Sequence, residues 1–433
     1  MLRQRGSIRR TFGVPLLYVG AALAAGFVLP RVERAYLSVL TFDLTKEAAL
    51  AILTGIASGT MALTAIVFSI ALLMLQFSAA AYSPRLLLWL ARSAFINHAI
   101  GLFAATFVYS LAAVAWVDRG GSGRVPPLTV WFAMLLLLAS VAMFIWLIDR
   151  VGMLQVTRIL MFAGDQGRMA IETTYPPPGA LRTRPATQPP AASLVEADHG
   201  PVIETLKHDG APAVIQVLDS QALVGLAAES RGVIVMAVAV GDTVMDGMPI
   251  LRVHGAGVAP PRAQIRRAVT LGPERAFEQD PKYALRILVD VAIKALSPAI
   301  NDPTTAVQAL DQIEDILIRL GCRNLNVGEM CDAGGHLRLV VPVPTWDDLV
   351  ALALDEIRFC GATSVQVMRR MRALLQDLSD HVLPERRAAL QDYLARIDRG
   401  IRRDLADADD QRDALQRDRQ GLGLSRERRS ISS

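Results

Sequence analysis

The sequence predicts an α-helical membrane bundle of four transmembrane helices, followed by an α+β soluble region that contains a small β-rich, barrel-sandwich-like module. Three observations predict it. Of 433 residues 52% are hydrophobic and 20% charged, a combination that one soluble domain does not carry unless the two kinds are segregated along the chain. Nearly all the long apolar runs precede residue 150, while Asp, Glu and Arg crowd the remainder. Beyond residue 200, short β-type runs bounded by Gly and Pro alternate with helical patterns. The expected parts are a four-helix transmembrane domain over 1–160, a connector over 161–200, the β-rich module over 201–260, an α+β domain over 261–380, a charged amphipathic helix over 381–420 and a disordered tail over 421–433.

A spanning helix needs about 20 apolar residues, because the hydrocarbon core is about 30 Å thick and each backbone amide must bond within its own helix. Four segments qualify. The first, Val14 to Leu29, is preceded by Arg3, Arg5, Arg9 and Arg10; it reads as a retained anchor and not a secretory signal, since three later hydrophobic runs already make this a membrane protein and no convincing Ala-x-Ala site follows. The second, Ala48 to Phe77, exceeds the thickness it must cross and is expected to tilt or project. It carries Gly55-x-x-x-Gly59, and small residues continue at Ala62, Ala65 and Ser69, with Gln76 near the end. Small residues at this spacing make a flat stripe for close helix packing. Packing inside the bundle, a subunit interface and a pore lining all fit that stripe. The third and fourth segments, Phe95 to Val117 and Pro127 to Ile148, are Leu/Ala/Val/Phe-rich spans with interfacial Trp116, Trp131 and Trp146.

The short loops set the orientation. Arg3, Arg5, Arg9, Arg10, Arg85, Arg92, Arg150 and Arg158 fall on one side, and Arg31, Arg34, Lys46, Arg119 and Arg124 on the other. The excess puts both ends of the chain in the cytoplasm. No Asp, Glu, Lys or Arg lies within the spans away from their ends, which argues against a proton- or ion-coupled pump. Asn97, His98 and Asp149 sit at interfacial depth and read as solvated boundary residues.

Proline-rich sequence between Thr173 and Ala197 reads as a semi-extended linker. Ala213–Leu218 and Gly232–Val240 are strand-like, and Gly241-Asp242-x-Val244-x-x-Gly247-x-Pro249 then gives two tight turns with a strand between them. That pattern resembles the turn of biotinyl- and lipoyl-type barrel-sandwich modules, which carry their cofactor on a lysine. Residues 208–281 contain no lysine, so no covalent cofactor is expected, and a structural adaptor role is. Two helices follow, Tyr283 to Leu296 and one ending near Leu320, joined by Ser297-Pro298-Ala299-Ile300-Asn301-Asp302-Pro303-Thr304-Thr305. Asp302 before Pro303 is an N-cap followed by proline at the first helical position. Alternatively, Asn301, Asp302 and Thr304 present polar groups and open amides to an anion or to a partner's backbone. Asp290 and Lys294 are spaced as a surface ion pair. A strand over His336–Val343 leads to helices at Trp346–Phe359, where Val350, Leu354 and Ile357 share a face, and at Val365–Leu378. From Pro384 to about Arg419 a charged helix carries Leu390, Leu394, Ile397, Ile401, Leu405 and Ala408, spaced to pack on another helix of this chain or of a second copy.

Several functions are excluded or disfavoured. The net charge of +4 comes from arginine, lysine occurring only at 46, 207, 282 and 294; no basic cluster is interleaved with aromatics, so no nucleic-acid partner is expected. Cys322, Cys331 and Cys360 lack metal spacing and read as reduced thiols, so neither metal nor cofactor is expected. Gly-x-Ser-x-Gly, His-Glu-x-x-His and Walker patterns are missing, hence no enzyme is expected.

Three stretches together carry a family resemblance: Phe68-Ser69-Ile70 through Gln76 to Tyr82-Ser83-Pro84-Arg85, then Thr106-Phe107-Val108-Tyr109-Ser110, then Ala295 to Ala306. In order and spacing, from about residue 10 to 400, the chain resembles the bacterial predicted-membrane-protein family catalogued as domain of unknown function 2254. The resemblance implies a multi-pass inner-membrane protein and brings no substrate. From the residues, the expected function is an oligomeric channel or conductance-modulating protein. In it Gly55, Gly59, Ala62, Ser69 and Gln76 pack around an axis or line a pore, and Tyr82, Ser83, Pro84 and Arg85 form a membrane-interface motif that steers ions. The alternative is a membrane-anchored scaffold or sensor that uses Asn301, Asp302 and Thr304. Its expected partners are the lipid bilayer, further copies of itself, and an ion or small ligand.

Overall fold

The computed structural model describes residues 2–36, 44–81, 94–117, 127–151, 156–177 and 199–423. The chain divides into two compact units, Met1–Gln155 and Val156–Ser433.

The first unit holds α1 (Leu2–Tyr36), α2 (Lys46–Ala81), α3 (Ala94–Val114) and α4 (Pro127–Val151). All four are long and apolar enough to cross a membrane. α3 is central, packed against α1, α2 and α4. Close approach along the α1–α3 seam depends on glycine, because a Cβ on Gly26 would stand 2.8 Å from Ala112 Cβ. Leu53, Ala49 and Ile56 of α2 meet Ala105, Tyr109 and Val130 in one apolar cluster. Tyr109 also donates to the Thr129 carbonyl at 3.1 Å, and Thr106 and Ser140 bond across α3 and α4 at 2.9 Å. Such hydroxyl pairs tie spans together where lipid supplies no hydrophobic drive.

The second unit opens with α5 (Val156–Thr174), which runs from the end of the expected transmembrane domain into the stretch expected to be connector. Its sheets are β1 (Val202–Lys207), β5 (Pro249–His254), β3 (Val233–Met236), β8 (Leu337–Val340) and β7 (Glu329–Cys331) in that spatial order, and β4 (Thr243–Val244), β2 (Ala213–Leu218) and β6 (Val269–Gly272) in the other. All pairs are antiparallel except β3 with β8. The expected turns are present, Gly241 and Gly247 both having positive φ, but the strands split between two sheets that do not close as a barrel. β1, β6 and β7 come from sequence too short or irregular to read as strands, and the run at 232–240 yields only β3 before the turn. Helices α6 (Ser220–Glu229) and α7 (Arg262–Arg267) complete this layer, and Leu223, Ile215, Ile234, Leu251 and Ile265 form its core.

The helical layer comprises α8 (Pro281–Ala295), α9 (Pro303–Gly321), α10 (Trp346–Cys360), α11 (Val365–His381), α12 (Arg387–Asp404) and α13 (Ala408–Ala414). α5 lies on α8 and α9. Val350, Leu354 and Ile357 are buried together on α10 as expected, and a Thr345–Asp348 capping box starts that helix. The tail expected as one helix breaks at Leu405, with Asp407 capping the short α13. Leu390, Ile397 and Ile401 are fully buried, and α12 packs on α11 of the same chain.

Charge in this layer is concentrated on α11. Arg370, 3% exposed, pairs with Asp311 at 2.9 Å and with Glu314. Burial raises the Glu314 carboxyl above its usual range, against the opposing pull of Arg370. Asp377 receives Arg417 and Arg419 from the tail. Burial alone would raise its pKa, but the hydrogen bonds from those two arginines outweigh it and hold the group low.

Candidate functional site

On α2 the residues that seat the helix and the residues of the small stripe occupy different faces. Leu53, Ile56, Ala57, Thr60 and Val67 are buried against the bundle. Gly55, Ser58, Gly59, Ala62 and Ser69 are exposed, and a Cβ added at Gly55 or Gly59 would meet nothing within 4 Å. The stripe therefore takes no part in the packing of its own bundle within the described residues. Thr54 and Ser58 border it, with hydroxyls that donate to the Leu50 carbonyl at 2.6 Å and the Gly55 carbonyl at 3.1 Å, leaving oxygen lone pairs outward. Ile66, 47% exposed, stands in the middle of this face, and Met61 and Phe68 of the same helix are also bulky and exposed. Gln76 belongs to α2; Tyr82, Ser83, Pro84 and Arg85 lie outside the described residues.

At the α8–α9 joint the chain turns back by placing Asn301 at φ 49°, a left-handed conformation that Asn tolerates better than most residues. Asp302 caps α9, accepting from Thr305 N at 3.1 Å and Thr305 Oγ1 at 2.5 Å. The amides expected to be open are largely occupied. Ile300 and Asn301 donate to the Ser297 carbonyl at 3.0 and 2.8 Å, and Asp302 donates to Ala295 at 2.8 Å. Asn301 and Thr304 are exposed, but the joint as a whole is a self-satisfied turn.

Sequence reasoning missed Glu33. It is 5% exposed near the end of α1, and its carboxylate accepts from Leu128 N at 2.9 Å, Thr129 N at 3.1 Å and Thr129 Oγ1 at 3.0 Å. A carboxylate is thus placed on the open amides of α4's first turn, where the helix dipole favours negative charge. Nearby, the Arg31 guanidinium lies 4.6 Å from the Trp116 ring centroid. A lone Glu closing an apolar run was the available signal, but its target amides are some 95 positions away in sequence. Asp290, considered with Lys294, is held by Arg286 at 2.8 Å, and Arg286 also reaches Glu356 at 2.6 Å. Cys322, Cys331 and Cys360 are free thiols, and no group of three or more potential metal ligands occurs among the described residues.

Four apolar helices ahead of an α/β unit, with an unused small-residue face on one span, define a multi-pass membrane protein with a sizeable extramembrane part. The chain belongs to the family described as predicted membrane protein, domain of unknown function 2254, whose profile matches residues 9–377. It is 28% identical over 412 residues to the uncharacterized protein Rv1290c of Mycobacterium tuberculosis, covering 92% of this chain and 77% of that one. The same figures hold for the uncharacterized protein Mb1321c of Mycobacterium bovis. No solved structure matches the chain significantly.

Proposed function

We propose that the chain acts as an oligomeric channel or conductance-modulating protein of the bacterial inner membrane, with both ends and the second unit in the cytoplasm. The outward small face of α2 is the observation that supports this reading. In lipid, helices associate through close van der Waals packing, for which glycine stripes are suited. A stripe that its own bundle leaves open is available to α2 of another copy. Thr54 and Ser58 beside it supply oxygen ligands for water or an ion passing an axis built from such helices. The reading assigns no catalytic role to any residue.

The test uses the full chain, purified in detergent and reconstituted in liposomes. Wild type is expected to form a multimer and to pass ions, and Gly59→Leu to lose both properties while remaining folded. A monomeric wild type without flux removes the channel and leaves the membrane-anchored scaffold or sensor. For orientation, a carboxyl-terminal reporter active only outside the cytoplasm would overturn the assignment.

A further inference from the structure

The second unit contains a cavity of about 200 Å³ between the end of α5, the start of α8 and the ends of β2 and β8. Its walls differ in chemistry. Part of the lining is hydrocarbon, from Leu218, Val240, Met330, Val341 and Pro342. Thr174, Tyr175, Ser220 and Lys282 supply polar lining.

The polar wall is fixed in place from behind. Tyr175 N donates to the Ile171 carbonyl at 2.9 Å, and its own carbonyl accepts from Arg323 at 3.0 Å. Gln279, another wall residue, clamps Leu218 by accepting from its N at 2.9 Å and donating to its carbonyl at 3.2 Å. Two groups of this lining have no direct hydrogen-bond or ion-pair partner among the described residues. Thr174 Oγ1 is buried with no hydrogen-bond partner among the described residues, a costly state for a hydroxyl. Lys282 makes no ion pair among the described residues, though it lies in the field of the buried Asp280, which Arg275 holds at 2.6 Å. Burial, reinforced by Asp280, raises the Tyr175 phenol to about 12, so it remains a neutral donor.

We propose that this cavity binds a small amphipathic monocarboxylate, its anion on Lys282 and the Thr174 and Tyr175 hydroxyls and its hydrocarbon body against Val240, Met330 and Val341. Size supports the class, since a dry cavity of about 150 Å³ holds benzene and the remaining space suits one carboxylate. The cavity is small for a nucleotide, drug-sized sites starting near 300 Å³. The inference goes beyond the proposed conductance and does not require it.

Isothermal titration of the full chain in detergent with benzoate tests the site, with benzamide as the uncharged isostere and empty micelles as the blank. Saturable binding of benzoate is expected, weaker by about tenfold or more for benzamide and for Lys282→Met, the size of a lost charge-assisted hydrogen bond. Thr174→Val, which keeps shape and removes the hydroxyl, is expected to weaken benzoate by a smaller factor. Equal binding of benzamide and benzoate, unchanged binding in Lys282→Met, or no saturable heat above the blank overturns the proposal. Because titration reads binding and not flux, its failure is separate from failure of the channel.

Discussion

Two helical glycine pairs, one in each unit, meet their surroundings in opposite ways. On α5, Gly167 is covered by its own unit: a Cβ there would stand 2.6 Å from Ile316 Cδ1 and 3.1 Å from Ala284 Cβ. On α2, a Cβ at Gly55 or Gly59 would meet nothing within 4 Å among the described residues. Buried charge divides similarly. Arg370 of the second unit is neutralised by side chains, Asp311 and Glu314, whereas Glu33 of the first is satisfied by backbone amides and one hydroxyl. A glycine stripe is thus only an offer of close approach, and its meaning depends on whether the chain itself supplies the second surface.

Four measurements break or sharpen this contrast. Removing a side-chain neutraliser has the largest expected effect. Arg370→Met leaves Glu314 buried and uncompensated and costs the second unit about 3–5 kcal/mol, read as lost hydrogen-exchange protection in α9 and α11. Gly167→Leu overpacks the α5–α8–α9 contact and costs about 1–3 kcal/mol, whereas Gly59→Leu changes monomer stability by less than about 0.5 kcal/mol, as a surface substitution does. Comparable thermal losses in those two variants would erase the distinction between the glycine faces. Glu33→Gln keeps one acceptor but loses the charge on α4's first turn, and lowers the stability of the first unit by about 0.5–2 kcal/mol, seen as a lower thermal midpoint in detergent.

The smallest effect is on acid stability. Asp332 is pulled down to about 2, first by the Arg338 hydrogen bond and then by the His336 amide. A group with its folded pKa depressed contributes stability above its unfolded value near 4, and loses that contribution as pH falls through about 2. Asp332→Asn is expected to flatten the denaturation profile across that window. A profile identical to wild type would mean that the β7–β8 turn does not need the charge.

Much of this architecture was legible in the residues, and the boundary of legibility has a physical basis. Four spans, the helices from Tyr283, Pro303, Trp346 and Val365, and the Asp302 cap depend on local period and local chemistry, and the structure has each of them. α5 was hidden because its Gly164 and Gly167 weaken helix propensity and its apolar face makes sense only against α8 and α9. β1, β6 and β7 were hidden because short strands are defined by their partners. On the stripe, the sequence left open which neighbour Gly55 and Gly59 meet; among the described residues, no atom of their own bundle would touch a Cβ at either position. At the joint, the open amides expected beside Asn301 were filled by the Ser297 and Ala295 carbonyls, a closure that depends on the positive φ of Asn301. The cavity with Lys282 was not legible because its lining comes from six separate segments.

The parallel contact between β3 and β8 also sets a timetable. Helices α8 and α9 lie between those strands in the chain, so β3 gains its second neighbour only after both helices have left the ribosome, and long-range pairing of this kind is slow. Until then the antiparallel trio β1, β5 and β3 carries a bare hydrogen-bonding margin, the sort of margin that recruits other chains. A nascent chain halted before Leu337 is accordingly the form of this protein most in need of a chaperone.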